Sequence, residues 1–433
     1  MNAQRGIARP RERRAHPVPP GPRPPLGRAR ALALSLAMAL GVAGAGAPAA
    51  AQTFKVLHRF HGPPKDGEAP LAGLAMDAAG NLYGTTLQGG KYSSCLPADV
   101  GCGTVFKLDT NGAETILHSF NGSDGANPIS TPIMDASGDL YGTTAVGGGD
   151  GCRTENSVGC GLVFKLSSDG KETVLHRFTG GADGAWPLAG LVMDANGILY
   201  GTTNSGGTYQ QGVVFKLVGT KETVLYAFTG GEDGAGPDAG TLLDVDGILY
   251  GTTTYGGDIN CLYPDPCGVV YKLAGRRETV LHAFKDSPDG AYPTAGVVMD
   301  AAGNLYSTTS DGGNGSNGGT VFEVSQDRKE RLLHTFGAGG RKNDGDCPEG
   351  GVVFDAYGNL CGTTFYGGKG QAGAVFEITA DGKEKILHSF CTTDCMDGAS
   401  PQGDLVIDAN GNLYGTASGG GTNRNGTVFM ITP

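Results

Sequence analysis

Histidine and aspartate recur through this chain in a fixed relation, and together they could transfer protons or hold a metal ion. Of eight histidines, six fall at one position of a repeated segment: His58, His118, His176, His282, His334 and His388, with Tyr226 at the same place in another copy. An Asp-Gly pair follows each of them, at Asp66, Asp124, Asp183, Asp233, Asp289, Asp344 and Asp397. Catalysis needs one partner constellation, not six equivalent ones. The repeated imidazole therefore reads as a packing residue between neighbouring units, hydrogen-bonded to a Thr or Asp. The aspartates read as turn formers that accept backbone N–H groups. A ring of calcium ligands is the other chemistry such carboxylates could support. Beyond that, no metal and no cofactor is expected. The chain has no G-x-S-x-G elbow, no H-E-x-x-H, no G-x-x-x-x-G-K and no C-x-x-C.

The elements that carry these residues are short strands. Residues 183–228 read DGAWPLAGLVMDANGILYGTTNSGGTYQQGVVFKLVGTKETVLYAF, and versions of this stretch recur seven times. Apolar runs at 188–193, 198–203, 213–217 and 223–228 are separated by Gly, Asp, Asn or Pro, the pattern of consecutive antiparallel strands. Every copy opens Asp-Gly-x-x-Pro and later carries Asp-x-x-Gly, beginning at Asp77, Asp135, Asp194, Asp244, Asp300, Asp355 and Asp408, which suits a tight hairpin. Four strands per copy predict an all-β fold, a seven-bladed β-propeller of four-stranded antiparallel blades. The segment 54–60 reads as a last strand with no blade before it, and 426–431 as a third strand with nothing after it. Joining the two closes the ring and removes its exposed edges. A Gly count of 77 without a three-residue period fits turn-dense β structure.

The ordered succession of Asp-Gly-x-x-Pro, Asn-Leu-Tyr-Gly-Thr-Thr, Gly-Gly and Thr-Val-Phe-Lys-Leu resembles the GloVer tandem-repeat family of bacterial exported proteins with a choice of anchors. The resemblance spans residues 54–431. It implies repeat architecture and placement at or outside the cell surface, and it brings no activity with it. This chain departs from the pattern by stopping at Pro433 without a C-terminal anchor, which favours a released or periplasmic protein.

Residues 1–51 are different material. A leader rich in Arg and Pro precedes a run of small apolar residues at 31–47 and an A-x-A site, as in a secretory signal peptide. The reading is then a leader over 1–51 and one propeller domain over 52–433. The run is short and weakly hydrophobic for a span, so no transmembrane anchor is expected after cleavage. The chain holds 32 basic and 43 acidic residues; the leader takes eight Arg and one Glu, leaving 24 and 42, a net charge of −18. Such a surface repels nucleic acid and anionic membrane. Ten cysteines in an exported chain point to disulfides. Pairs inside single loop insertions are Cys95 with Cys102, Cys152 with Cys160 and Cys261 with Cys267. Cys391 with Cys395 is a fourth, and Cys347 and Cys361 stay unassigned.

Loops of constant length gather on one face of the predicted ring, while insertions, cysteines and the lone Trp186 gather on the other. Tyr92, Tyr209, Tyr255, Tyr263 and Tyr366 lie in Gly-Gly loops of that second face, beside Asn, Gly and Ser. Aromatics in such company make a platform for sugars or peptides. The leading expectation is a monomeric, secreted or periplasmic binding or scaffold protein that recognises an extracellular or envelope polysaccharide or protein. The alternative is a propeller hydrolase or lyase with its site at the mouth of the central channel. A polar cluster there that breaks the repeat would favour the second class; its absence would favour the first.

Overall fold

The computed structural model describes residues 52–92, 95, 100–149, 151–152, 158–258, 261, 266–313, 318–337 and 343–432. Residues 1–51, expected to be a leader, and Tyr263 lie outside these residues. Among the described residues there are seven four-stranded antiparallel sheets and no helix, which makes a seven-bladed β-propeller.

Blade 3 represents the rest: Val192–Met193, Leu199–Thr203, Val213–Val218 and Lys221–Ala227, paired in that order. The second and third strands are buried almost throughout, because each blade is covered on both faces by its neighbours. The first strand is shorter than the apolar run 188–193 predicts, with only Val192–Met193 in the ladder. Its upstream part accepts a bond from the preceding blade instead. A threonine on each second strand donates its hydroxyl to a carbonyl of the following blade: Thr143 to Ala189 at 2.9 Å, Thr202 to Ala239 at 3.1 Å and Thr252 to Ala295 at 2.8 Å are examples. The circuit runs through all seven blades and returns, with Thr416 donating to Ala72 at 2.7 Å.

Strand Thr53–Arg59 pairs with Thr427–Thr432, from Thr53 opposite Thr432 to Arg59 opposite Thr427. Blade 7 therefore takes its outer strand from the N-terminal part of the propeller and its inner three from the C-terminal part. Every outer strand slips register once, one residue before its repeated His or Tyr. A bulge of this kind re-aims the next side chain, and here it turns the His into the gap between blades.

Aromatic pairs join the hydrophobic layers. The Phe that ends each outer strand meets the third-strand aromatic of the next blade edge to face, as in Phe60 with Phe106 and Phe228 with Tyr271, both at 5.2 Å. Those third-strand rings explain the Gly of Leu-Tyr-Gly-Thr-Thr. A Cβ on Gly84 would stand 2.6 Å from Phe106 Cζ, so the ring occupies the space of the missing side chain.

Candidate functional site at the channel mouth

The recurrent Pro of each Asp-Gly-x-x-Pro leads into the innermost segment of its blade, and these segments meet around the axis. A Cβ on Gly73 would lie 2.7 Å from the Asp404 carbonyl and 2.9 Å from Thr131 Oγ1, on the two flanking blades. Likewise one on Gly240 would lie 3.3 Å from the Gly190 carbonyl, and one on Gly296 3.1 Å from that of Gly240. Gly73, Thr131, Gly190, Gly240, Gly296, Gly351 and Asp404 thus form one belt at the narrowest level, and small residues there let backbones approach. Asp404 is the acidic exception.

Two residues before this belt, on the loop-rich side, stand Leu71, Ile129, Leu188, Asp238, Thr294, Glu349 and Gln402. Extended chain alternates its side chains. Residues between the two levels, such as Ala72, Ala189 and Ala239, are buried in the blades, which leaves the upper level half-buried at the mouth. Blades 1 to 3 contribute three aliphatic side chains and blades 4 to 7 four polar ones. The mouth has an apolar half and a polar half.

Its carboxylates are perturbed. Asp404 is solvent-exposed, yet desolvation by the protein around it raises its carboxyl above the ordinary range, against the Gly351 N–H that donates to Oδ1 at 2.6 Å. Burial also raises Asp238, although Asn204 Nδ2 at 2.5 Å and Thr254 Oγ1 at 2.7 Å donate to it. Burial raises Glu349 as well. Three carboxyls that resist ionisation around one opening can hold donors of a ligand or deliver a proton. The sequence signalled this cluster through departures from the Leu-Ala-Gly pattern after Pro, which attention to loops and aromatics passed over.

The aromatics expected to bind are placed as follows. Tyr92, Tyr209, Tyr255 and Tyr366 are exposed, one each on blades 1, 3, 4 and 6. Tyr255 meets Tyr292 edge to face at 5.8 Å, a pair the sequence did not suggest. Trp186 is half-buried against the cluster that holds Phe178 and both Cys152 and Cys160. Its backbone is left-handed at φ 57°, and so is that of every equivalent residue: Ala69, Asn127, Gly236, Tyr292, Cys347 and Ser400 lie between 54° and 60°. The N–H of Trp186 donates to Cys160 O and its carbonyl accepts from Asn204 N, which pins this conformation between two blades. The Asp-Gly-x-x-Pro connections and Gly-Gly loops share one face and pair with each other, as Ala185 does with Ser205. All four expected disulfides form. Cys347 and Cys361 are free thiols, each pushed up to about 12, first by burial.

The repeated histidines lie at the blade interfaces against the Asp-Gly aspartates. His282 Nε2 is 3.1 Å from Asp289 Oδ2 and His388 Nε2 is 2.9 Å from Asp397 Oδ2. These aspartates also cap their own turns, as Asp289 does for Lys285 N–H at 3.0 Å. A third partner went unread in the sequence, the Glu that opens the next outer strand. Burial, then the nearby aspartate, pushes Glu222 and Glu278 up to about 7. Burial lowers His176 below the usual imidazole range in spite of Asp183.

Among solved structures, the chain is similar to a gluconolactonase from Xanthomonas campestris: 16% identity, TM-score 0.40, covering 87% of this chain and 99% of that one. A Bacteroides uniformis protein described as a candidate 6-phosphogluconolactonase matches at 16% identity and TM-score 0.46, over 74% of this chain and 86% of its own. A luciferin-regenerating enzyme matches at 14% identity and TM-score 0.40, over 70% and 90%. Likeness at this level carries nothing about activity. No curated protein matches the sequence. The model of the Gloeobacter/Verrucomicrobia repeat matches residues 47–263 and 262–433, and with the seven-fold recurrence it covers, the chain belongs to that repeat family.

Proposed function

We propose that this is an exported binding protein that takes an envelope or extracellular polysaccharide at the channel mouth of its loop-rich face. The observation that carries the reading is the division of the mouth, with Leu71, Ile129 and Leu188 facing Asp238, Thr294, Glu349 and Gln402 above Asp404. A sugar unit has the same two characters, hydroxyls at its edges and C–H groups on its faces. Carboxylates and amides accept the hydroxyls, and aliphatic side chains cover the faces. Exposed tyrosines and the Trp186 connection extend the contact outward along the chain. Four disulfides and the leader 1–51 support export. Among the described residues no helix is long and apolar enough to cross a membrane.

Glycan-array screening followed by calorimetry on a hit tests this reading. Asp404→Asn, Glu349→Gln and Leu188→Asp should each weaken binding at least about tenfold, because each leaves a buried group of the complex unmatched. Absence of any glycan hit, or a hit that all three variants bind like the unaltered protein, overturns it.

A second reading rests on the same polar cluster, which breaks the repeat at the mouth as the enzyme alternative requires, and on its raised carboxyls. A hydrolase or lyase needs a general acid whose pKa is raised, and desolvation shifts the Asp404 carboxyl in that direction. Incubation with the same glycan separates the two readings. New reducing or unsaturated ends that disappear in Asp404→Asn favour the enzyme; an intact glycan favours the binding protein.

A further inference from the structure

Six copies of the second strand read Leu-Tyr, with Tyr83, Tyr141, Tyr200, Tyr250, Tyr306 and Tyr414; blade 6 reads Leu-Cys, with Cys361. Where the tyrosine is present it does two things. Its ring packs between its own blade and the next: Tyr141 joins the cluster that holds Leu175 of blade 2 and Met193, Leu199 and Leu217 of blade 3. Its hydroxyl donates to the Asp-x-x-Gly aspartate before it, at 3.0 Å from Tyr83 to Asp77, 3.1 Å from Tyr141 to Asp135 and 3.0 Å from Tyr306 to Asp300.

Between blades 6 and 7 the equivalents of those four apolar residues are Leu387, Ile407, Leu413 and Ile431. Together with Cys361 and Asp355 they line a cavity of about 300 Å³. Cys361 is 2% exposed and its thiol is free. The cavity thus stands where the other interfaces hold a phenol ring, and its rim reaches solvent at the exposed turn residues Tyr357 and Asn410.

Asp355 keeps the geometry of the other copies. Its Oδ1 accepts the N–H groups of Tyr357 and Asn359, both at 2.8 Å, and its Oδ2 accepts Asn359 Nδ2 at 2.8 Å. In blade 1 the same oxygen of Asp77 accepts Asn81 Nδ2 at 2.7 Å and the Tyr83 hydroxyl besides. A carboxylate oxygen has lone pairs for both donors, so Asp355 can accept one more.

We propose that this cavity binds a small phenol, the ring taking the tyrosine's place against Leu387, Ile407 and Leu413 and the hydroxyl donating to Asp355 Oδ2. An apolar lining alone would take any small hydrocarbon, since a cavity of about 150 Å³ so lined takes up benzene. The carboxylate makes the choice, because a hydroxyl bonded to a charged acceptor gains more than a neutral pair does. The volume exceeds one ring and leaves space for a short substituent.

Titration of the full chain with 4-methylphenol, by calorimetry and by thermal melting, tests the site. One equivalent should bind, and the melting temperature should rise with its concentration. Cys361→Tyr installs the residue of the other six blades. It should fold, melt at least as high as the unaltered protein without ligand, and lose the binding. Asp355→Asn keeps an Oδ1 acceptor for the turn; it should bind 4-methylphenol about tenfold more weakly and toluene as the unaltered protein does. Failure of the unaltered protein to bind one equivalent overturns the proposal. So does undiminished 4-methylphenol binding in a folded Cys361→Tyr or Asp355→Asn protein.

Discussion

Phe54 lies face to face with His388, ring centroids 3.6 Å apart and planes 8° from parallel. Six other outer strands carry Glu at the place of Phe54: Glu114, Glu172, Glu222, Glu278, Glu330 and Glu384. At six interfaces, then, a carboxyl joins the His–Asp or Tyr–Asp pair, and at the seventh an aromatic face covers it. The seventh involves the strand with no covalent link to the rest of its blade. Phe54 also reaches Phe390 at 5.8 Å and Phe429 at 5.7 Å, so it ties that strand to blade 6 and to its own blade.

Phe54→Ala should therefore lower stability by about 2 kcal/mol, below the range for a fully buried Phe because this ring is only half-buried. Urea unfolding checks it. A loss within experimental error would mean that the ladder to Thr427–Thr432 holds the strand unaided.

The hydroxyl circuit makes a second prediction. Thr416→Val keeps the side-chain volume but removes the donor to Ala72 O, leaving a blade 1 carbonyl without its bond from the composite blade 7. A cost of about 1–3 kcal/mol is expected. Thr202→Val, between two blades each built from continuous chain, should cost a similar amount, and a much smaller loss there would show that the composite blade 7 depends on its bond more than other blades do.

The third concerns the repeated imidazole. His282→Gln keeps a donor near Asp289 but misplaces it, and should cost on the order of 1 kcal/mol while leaving ligand binding at the channel mouth unchanged. Loss of binding in a folded His282→Gln protein would move function to the blade interfaces.

Stability should also depend on pH in an unusual direction. Burial pushes the carboxyls of Glu222 and Glu278 up to about 7, above the ordinary glutamate value of about 4.3. Between about pH 4.5 and 7 the folded protein thus binds more protons at these sites than the unfolded chain does, and stability falls as pH rises through that window. Above pH 7 their contribution levels off. In the other direction, Asp397 sits below its usual range, since bonds from His388 and Cys391 N–H outweigh its burial; its support is lost in acid. The urea midpoint should decline from pH 5 to 7, and Glu222→Gln with Glu278→Gln should flatten that decline. A double variant with the unaltered slope would refute the assignment.

Architecture was legible in the sequence because every copy repeats its apolar runs and turn residues at one spacing. Closure was legible because 54–60 and 426–431 are complementary fragments of one repeat. The Thr-to-carbonyl circuit was not, since Thr202 and Ala239 are 37 positions apart and Thr-Thr in a strand suggests only β propensity. Asp404 and His61 were visible as single letters that break a column of equivalents. What they do depends on neighbours, Gly351 of the preceding blade for Asp404 and Asp66 of the same connection for His61. A periodic sequence specifies the scaffold seven times over, whereas each exception is stated once.

Because Thr53 sits opposite Thr432, the chain enters and leaves the propeller at the same end of one antiparallel pair. Tension applied between the flanking segments would open that pair like a zipper, one rung at a time, instead of shearing all its rungs together. Pulled from both ends, the molecule should yield at low force and lose blade 7 first. Tethered by one end alone, it would transmit no load through this clasp, and single-molecule pulling from the two kinds of attachment should reveal the contrast.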